Sequence, residues 1–109
     1  MQQLTPQQIA SFLQVEDTLV SWHGAMPATQ QAAVSLCHRI AQVLQTQTSE
    51  PDWGADRMQV KLHNAQFELL LNVEWLCEAV WLQPIGFSQS NLTPPQMLAA
   101  IEQRLSELR

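Results

Sequence analysis

From Arg57 to Trp75 the side chains alternate with a period of two, and few folds accommodate that pattern. Met58, Val60 and Leu62 alternate with Gln59, Lys61 and His63, then Phe67, Leu69, Leu71, Val73 and Trp75 alternate with Glu68, Leu70, Asn72 and Glu74. Successive side chains of a strand point to opposite faces, so the pattern predicts two strands with one apolar face, joined across His63-Asn64-Ala65-Gln66. Asn64 tolerates the left-handed conformation that tight hairpins use, although the usual glycine does not follow it. A third strand covers Glu78 to Ile85, with Pro84 near its end where a missing amide does least harm. The joint before it, VEWLCE, has neither glycine nor proline. A helix from Gln66 to Gln83 competes, because Leu69, Leu70, Val73, Leu76, Cys77 and Val80 share one helical face. It would leave Phe67, Leu71, Trp75 and Leu82 on its other side, so strands are preferred and a mostly α chain is the alternative.

Helix-start chemistry brackets this block. Thr5 is a good N-cap, Pro6 suits the first helical position and Gln8 completes a capping box; Thr93, Pro94 and Gln96 repeat the device. The first helix follows Ile9, Phe12, Leu13, Leu19 and Trp22, though Val15, Thr18 and Val20 blur its face, and Gly24 and Pro27 end it. A second helix runs from about Pro27 to Gln45 on a stripe of Ala33, Leu36, Cys37, Ile40, Val43 and Leu44. Residues 46–56, with Pro51 and Gly54, read as a loop, as does Ser88 to Asn91; Met97, Leu98, Ile101, Leu105 and Leu108 stripe the last helix. The expected architecture is a single α+β domain over residues 1–109. It has two N-terminal helices, a short antiparallel three-stranded meander and a C-terminal helix packed on the sheet.

Charge narrows the partners. Ten acidic against five basic residues leave a net charge of -5, without the Lys and Arg cluster that nucleic acid or an anionic membrane surface requires. The N-terminus lacks the basic and apolar regions of a secretory signal, and no run is long enough to span a bilayer, so the expected compartment is the cytoplasm. There Cys37 and Cys77 remain thiols, and both read as small core hydrophobes.

Candidate chemistry is sparse. Cys37, His38, His63 and Cys77 are the residue types of a zinc site, but they lack the closely paired spacing of structural zinc, so no metal or cofactor is expected. A Cys77 nucleophile activated by His63 would need adjacent strands to join them; a packed thiol and a surface histidine is the simpler reading. Glu68 and Glu74 share strand parity, and Glu78 would join them beside the second strand. Such carboxylates serve acid-base chemistry or simply solvate a face, and Leu70 and Leu82 suggest that this face is partly covered. Trp53, between Asp52 and Asp56, either caps the core, the preferred reading, or anchors a contact whose partner the acids bias towards Arg or Lys.

The expected function is a non-enzymatic cytosolic interaction or adaptor/chaperone-like module, homodimeric or bound to another protein through an edge strand or an apolar helix face. Its partner-facing residues would be Trp53, Asp52, Asp56, Glu68, Glu74 and Glu78. The alternative is a small-molecule-binding or enzymatic domain with its carboxylates between sheet and helices.

Overall fold

The structure, a computed structural model, describes residues 4–85 and 92–109, so the expected loop at Ser88 to Asn91 lies outside the described residues. In chain order the elements are α1 (Pro6–Phe12), β1 (Leu13–Val15), β2 (Val20–Trp22), α2 (Gln30–Val43), β3 (Gln47–Thr48), β4 (Asp52–Trp53), β5 (Arg57–His63), β6 (Glu68–Glu74), β7 (Ala79–Pro84) and α3 (Pro94–Leu108). The strands form one antiparallel sheet in the order β1-β2-β7-β6-β5-β3, with β4 also on β5.

The three-stranded meander is therefore corrected to a seven-stranded sheet, although the class remains α+β. The expected strands are present as β5, β6 and β7, which removes the helical alternative for residues 66–83. Four short strands lie outside that expectation. The first helix stops at Phe12 instead of reaching Trp22, because Leu13-Gln14-Val15 and Val20-Ser21-Trp22 form a hairpin, and β2 then pairs with β7 far along the chain. Their β-branched residues favour strand over helix, but two or three alternations are too few to reveal the pairing. The expected loop at 46–56 contains β3 and β4, which pair with the two ends of β5 and are interrupted at Glu50-Pro51.

Register explains the core. The rows Met58–Val73–Val80 and Val60–Leu71–Leu82–Val20 lie on one face of the sheet, and these side chains are 0–4% exposed. Ile9, Ile40, Leu44, Ile101 and Leu105 from the helices join the same cluster, so the helices form one layer on that face. Both capping boxes close as expected at Thr5 and Thr93.

The joints use side chains where glycine was absent. Asn64 is not left-handed; its Oδ1 accepts from the amides of Gln66 and Phe67 at 2.7 and 2.6 Å, a side-chain mimic of a turn. Its amide donates to the Leu44 and Gln45 carbonyls, fastening the hairpin to the end of α2. Glu78 closes the β6–β7 turn with φ 51, a left-handed conformation that costs a side-chain-bearing residue about 1–2 kcal/mol. Arginines clamp the helix layer: Arg39 donates to the Leu4 carbonyl, Arg104 to Val43 at 2.9 Å, and Arg109 to Ala10 and Leu13 at 3.2 and 2.6 Å. Arg109 thereby occupies a carbonyl of the edge strand β1.

Glu78→Gly is expected to leave stability unchanged or raise it by up to about 1 kcal/mol, whereas Glu78→Val should lower it by about 1–2 kcal/mol, because only the second increases crowding at positive φ. Denaturant titration of both chains checks this; equal losses would contradict the turn geometry.

Candidate functional site

Two turns meet at one end of the sheet. The first, residues 54–56, joins β4 to β5 and is closed by a 2.9 Å bond from the Gly54 amide to the Arg57 carbonyl. A Cβ on Gly54 would lie 2.8 Å from Arg57 Cγ, so glycine lets that side chain cross the turn. The second, residues 75–78, joins β6 to β7. The Trp75 amide donates to the Asp56 carbonyl at 2.9 Å and ties the two together.

This end carries most of the residues singled out from the sequence. Trp53 is 41% exposed instead of folding under to cap the core, and Leu76 is 82% exposed; they are the exposed large hydrophobics among the described residues. Asp52, Asp56 and Glu78 are exposed and Glu74 is half-buried. None of these four carboxylates forms an ion pair among the described residues. Glu68 stands apart at the other end of β6, about 20 Å from Glu74 at the rise of a strand, paired with Lys61 at 3.8 Å. Glu68 and Glu74 alternate with the core residues Leu69, Leu71 and Val73, so they project from the helix-free face and not between sheet and helices. Leu82, by contrast, belongs to the core side.

The helix-free face has its own polar network. Gln59 Nε2 donates to Asn72 Oδ1 at 2.8 Å; Asn72 Nδ2 donates to the Leu70 carbonyl at 3.1 Å and to Gln83 Oε1 at 3.3 Å; Trp81 Nε1 donates to Gln83 Oε1 at 3.1 Å. Asn72 is only 4% exposed, and these bonds satisfy an amide that would otherwise be costly to cover. The Ser21 hydroxyl is buried without a partner among the described residues.

A third feature was hidden by reading residues 13–22 as helix. A cavity of about 450 Å³ lies between α1, the segment before α2, and α2, lined chiefly by Leu4, Ile9, Trp22, Met26, Pro27 and Leu36. Two contacts hold its floor: Trp22 Nε1 donates to the Ala25 carbonyl at 3.0 Å, and Phe12 meets the indole edge-on with ring centroids 5.4 Å apart. A Cβ on Gly24 would fall 2.3 Å from the indole ring, so only glycine lets the chain lie on it. Trp75 Nε1 donates to the Pro27 carbonyl at 2.8 Å and so joins the lip of this groove to the two turns.

His63 and Cys77 sit at opposite ends of the sheet, and no group of three or more His, Cys, Asp or Glu suited to a metal ion occurs among the described residues. Cys37 is buried on α2, where desolvation pushes its thiol up to about 12. Cys77 is exposed in the second turn, which corrects its reading as a core residue. No helix among the described residues is long and apolar enough to cross a membrane.

Fold and site together define an α+β domain with one helix layer and a grooved, acidic end. The chain belongs to the family described as Protein of unknown function (DUF3630), which it matches over residues 9–103. That span includes both turns, Trp22 and most of the groove. No curated protein and no solved structure matches the chain.

The cysteines give a direct check. Native protein should take up one equivalent of a thiol reagent at Cys77 while Cys37 reacts only after unfolding, as mass mapping of the labelled peptides would show. Equal native labelling of both would contradict the burial of Cys37.

Proposed function

We propose that this chain is a non-enzymatic, cytoplasmic protein-protein interaction module that binds its partner through the paired turns at residues 54–56 and 75–78. The observation that carries this reading is the display of Trp53 and Leu76 at one end of the sheet, 41% and 82% exposed, on turns joined by the Trp75–Asp56 backbone bond. Large apolar side chains on a fixed scaffold supply the anchors of binding surfaces, and tryptophan is among the residues most enriched there. Strand addition is less well supported as the mode of binding. Arg109 occupies the Leu13 carbonyl on one edge of the sheet, and Pro51 interrupts the pairing on the other. Separation of Glu68 from Glu74 also weighs against a carboxylate-based active site.

A photo-reactive phenylalanine derivative in place of Leu76 is expected to give a discrete cross-linked adduct in cells, while the same group at the exposed Ser106 on α3 gives none. Trp53→Ala should reduce the adduct strongly, since loss of an anchor costs about 2 kcal/mol or more of binding. An adduct with a second copy of the chain would make this the homodimer surface. Absence of an adduct at position 76, or equal adducts at both positions, would overturn the assignment.

A further inference from the structure

We infer that the groove beside α2 binds a small amphiphile, an unbranched acyl chain of medium length ending in a carboxylate, with its head at Arg39 and its tail running towards Pro27. This goes beyond the interaction reading and does not depend on the turns. Among the described residues that line the groove, Arg39 carries the only formal charge and Ser35 the only hydroxyl; the rest, including Leu4, Ile9, Trp22 and Leu36, are apolar. Sites for small molecules have this composition, with apolar walls and a few polar groups that orient the ligand.

The charges of the chain are sorted around this groove. All ten acids fall at Glu16 and Asp17 or from Glu50 onward, so α1, α2 and the segment from Thr18 to Thr29 contain none, and Arg39 is the one Lys or Arg in those stretches. Glu16 and Asp17 lie at the tip of the β1–β2 hairpin, whereas Trp22 pairs with Leu13 at its base. On α3, Glu102 and Glu107 line other cavities, one at Leu13 and one at Asn64. The acidic turns meet the groove through Trp75 at Pro27, ahead of the first turn of α2, while Arg39 is in the third. A neighbouring cavity shares Ile9 and Arg39 with the groove, again has no acid in its lining and adds Arg104. An anion at the Arg39 end therefore faces cations and no carboxylate from either lining, in a chain whose net charge is -5.

Geometry sets the size of the ligand. Ala32, Ser35, Leu36 and Arg39 recur at helical spacing, so one stripe of α2 forms the wall. Ser35 and Arg39 are one turn apart, close enough for hydroxyl and guanidinium to address the same carboxylate. Arg39 Nη2 donates to the Leu4 carbonyl, which holds the guanidinium beside another lining residue, and a guanidinium presents five N–H donors in all. From Ala32 to Arg39 the wall measures about 10 Å at the rise of a helix. Three bonds of an extended chain cover about 3.3–3.6 Å, so roughly eight or nine carbons fill that length. The Trp22–Ala25 bond holds the indole as a flat apolar floor for the methylenes. An uncharged amphiphile would leave Arg39 unused, and a cationic one would be repelled by it.

The test titrates the full chain calorimetrically with octanoate, 1-octanol and octylammonium, which differ chiefly in the head. Octanoate should bind at least about tenfold more tightly than octanol, and octylammonium least of all. Shortening the tail to hexanoate should weaken binding by about tenfold, since each buried methylene is worth about three- to fourfold. Arg39→Gln should bring octanoate down to the affinity of octanol. Ala32→Trp, which adds bulk at an exposed position on the wall, should weaken both by at least about tenfold. If loss of the bond to Leu4 unfolds the Arg39→Gln chain, the ranking of the three heads on the parent still decides. In a nitrogen-resolved NMR spectrum, octanoate should move the Trp22 indole N–H signal and leave that of Trp53 in place. Equal binding of the three heads, unaltered octanoate affinity in the Ala32→Trp chain, a shift at Trp53 instead of Trp22, or no binding of octanoate would overturn the proposal.

Discussion

Every other part of the molecule hangs on the double pairing of β6. Its residues are in register with β5 from Glu68 to Glu74 and with β7 from Leu69 to Glu74, so it is held on both sides along nearly its whole length. Leu69, Leu71 and Val73 are 0–1% exposed under the helix layer, and burial of such side chains contributes about 1.5–3 kcal/mol each. The alternate positions of the same strand make the opposite face, where Asn72 closes a lateral network with Gln59 and Gln83. A shift of one residue in this register would exchange the two faces, burying Glu68 and Glu74 and exposing the leucines. The pairing thereby determines which side receives the helices.

Where β6 ends, the core becomes the candidate site. Trp75 is the first residue beyond the strand and makes two bonds in different directions, its amide to Asp56 and its indole to Pro27. Placed by the sheet, it in turn places the β4–β5 turn and the segment leading into α2. The exposed Trp53 and Leu76 and the lip of the groove at Pro27 therefore share a common support. A surface held in this way loses little entropy on binding, which is why a preformed arrangement is of more use to a docking site than the same residues on free loops.

The extent to which the chain could be read in advance follows from the length of each pattern. Met58 to Trp75 repeats its alternation often enough to reveal β5 and β6, and the Thr-Pro-x-Gln starts mark α1 and α3 without reference to anything distant. The hairpin at 13–22 was masked because its apolar residues also fall near helical spacing; only pairing with β7 decides between the two, and a pairing across sixty residues leaves no local trace. The same error concealed the groove, since Trp22 as a helical residue has no reason to form a floor. Trp53 with its acidic flanks was visible as an unusual loop residue. Its grouping with Glu74 and Glu78, and the exclusion of Glu68, required the register of β6.

Membership of the DUF3630 family places these features within a shared span of chain, 9–103, and assigns no activity to them. Trp75 couples the turns to the groove through its amide and its indole, and the exchange of its indole proton with solvent measures that coupling most directly. In a nitrogen-resolved NMR spectrum the Trp75 indole N–H, bonded to Pro27 at 2.8 Å, should exchange slowly, whereas that of the exposed Trp53 should exchange fast. Equal, rapid exchange at both would contradict the coupling.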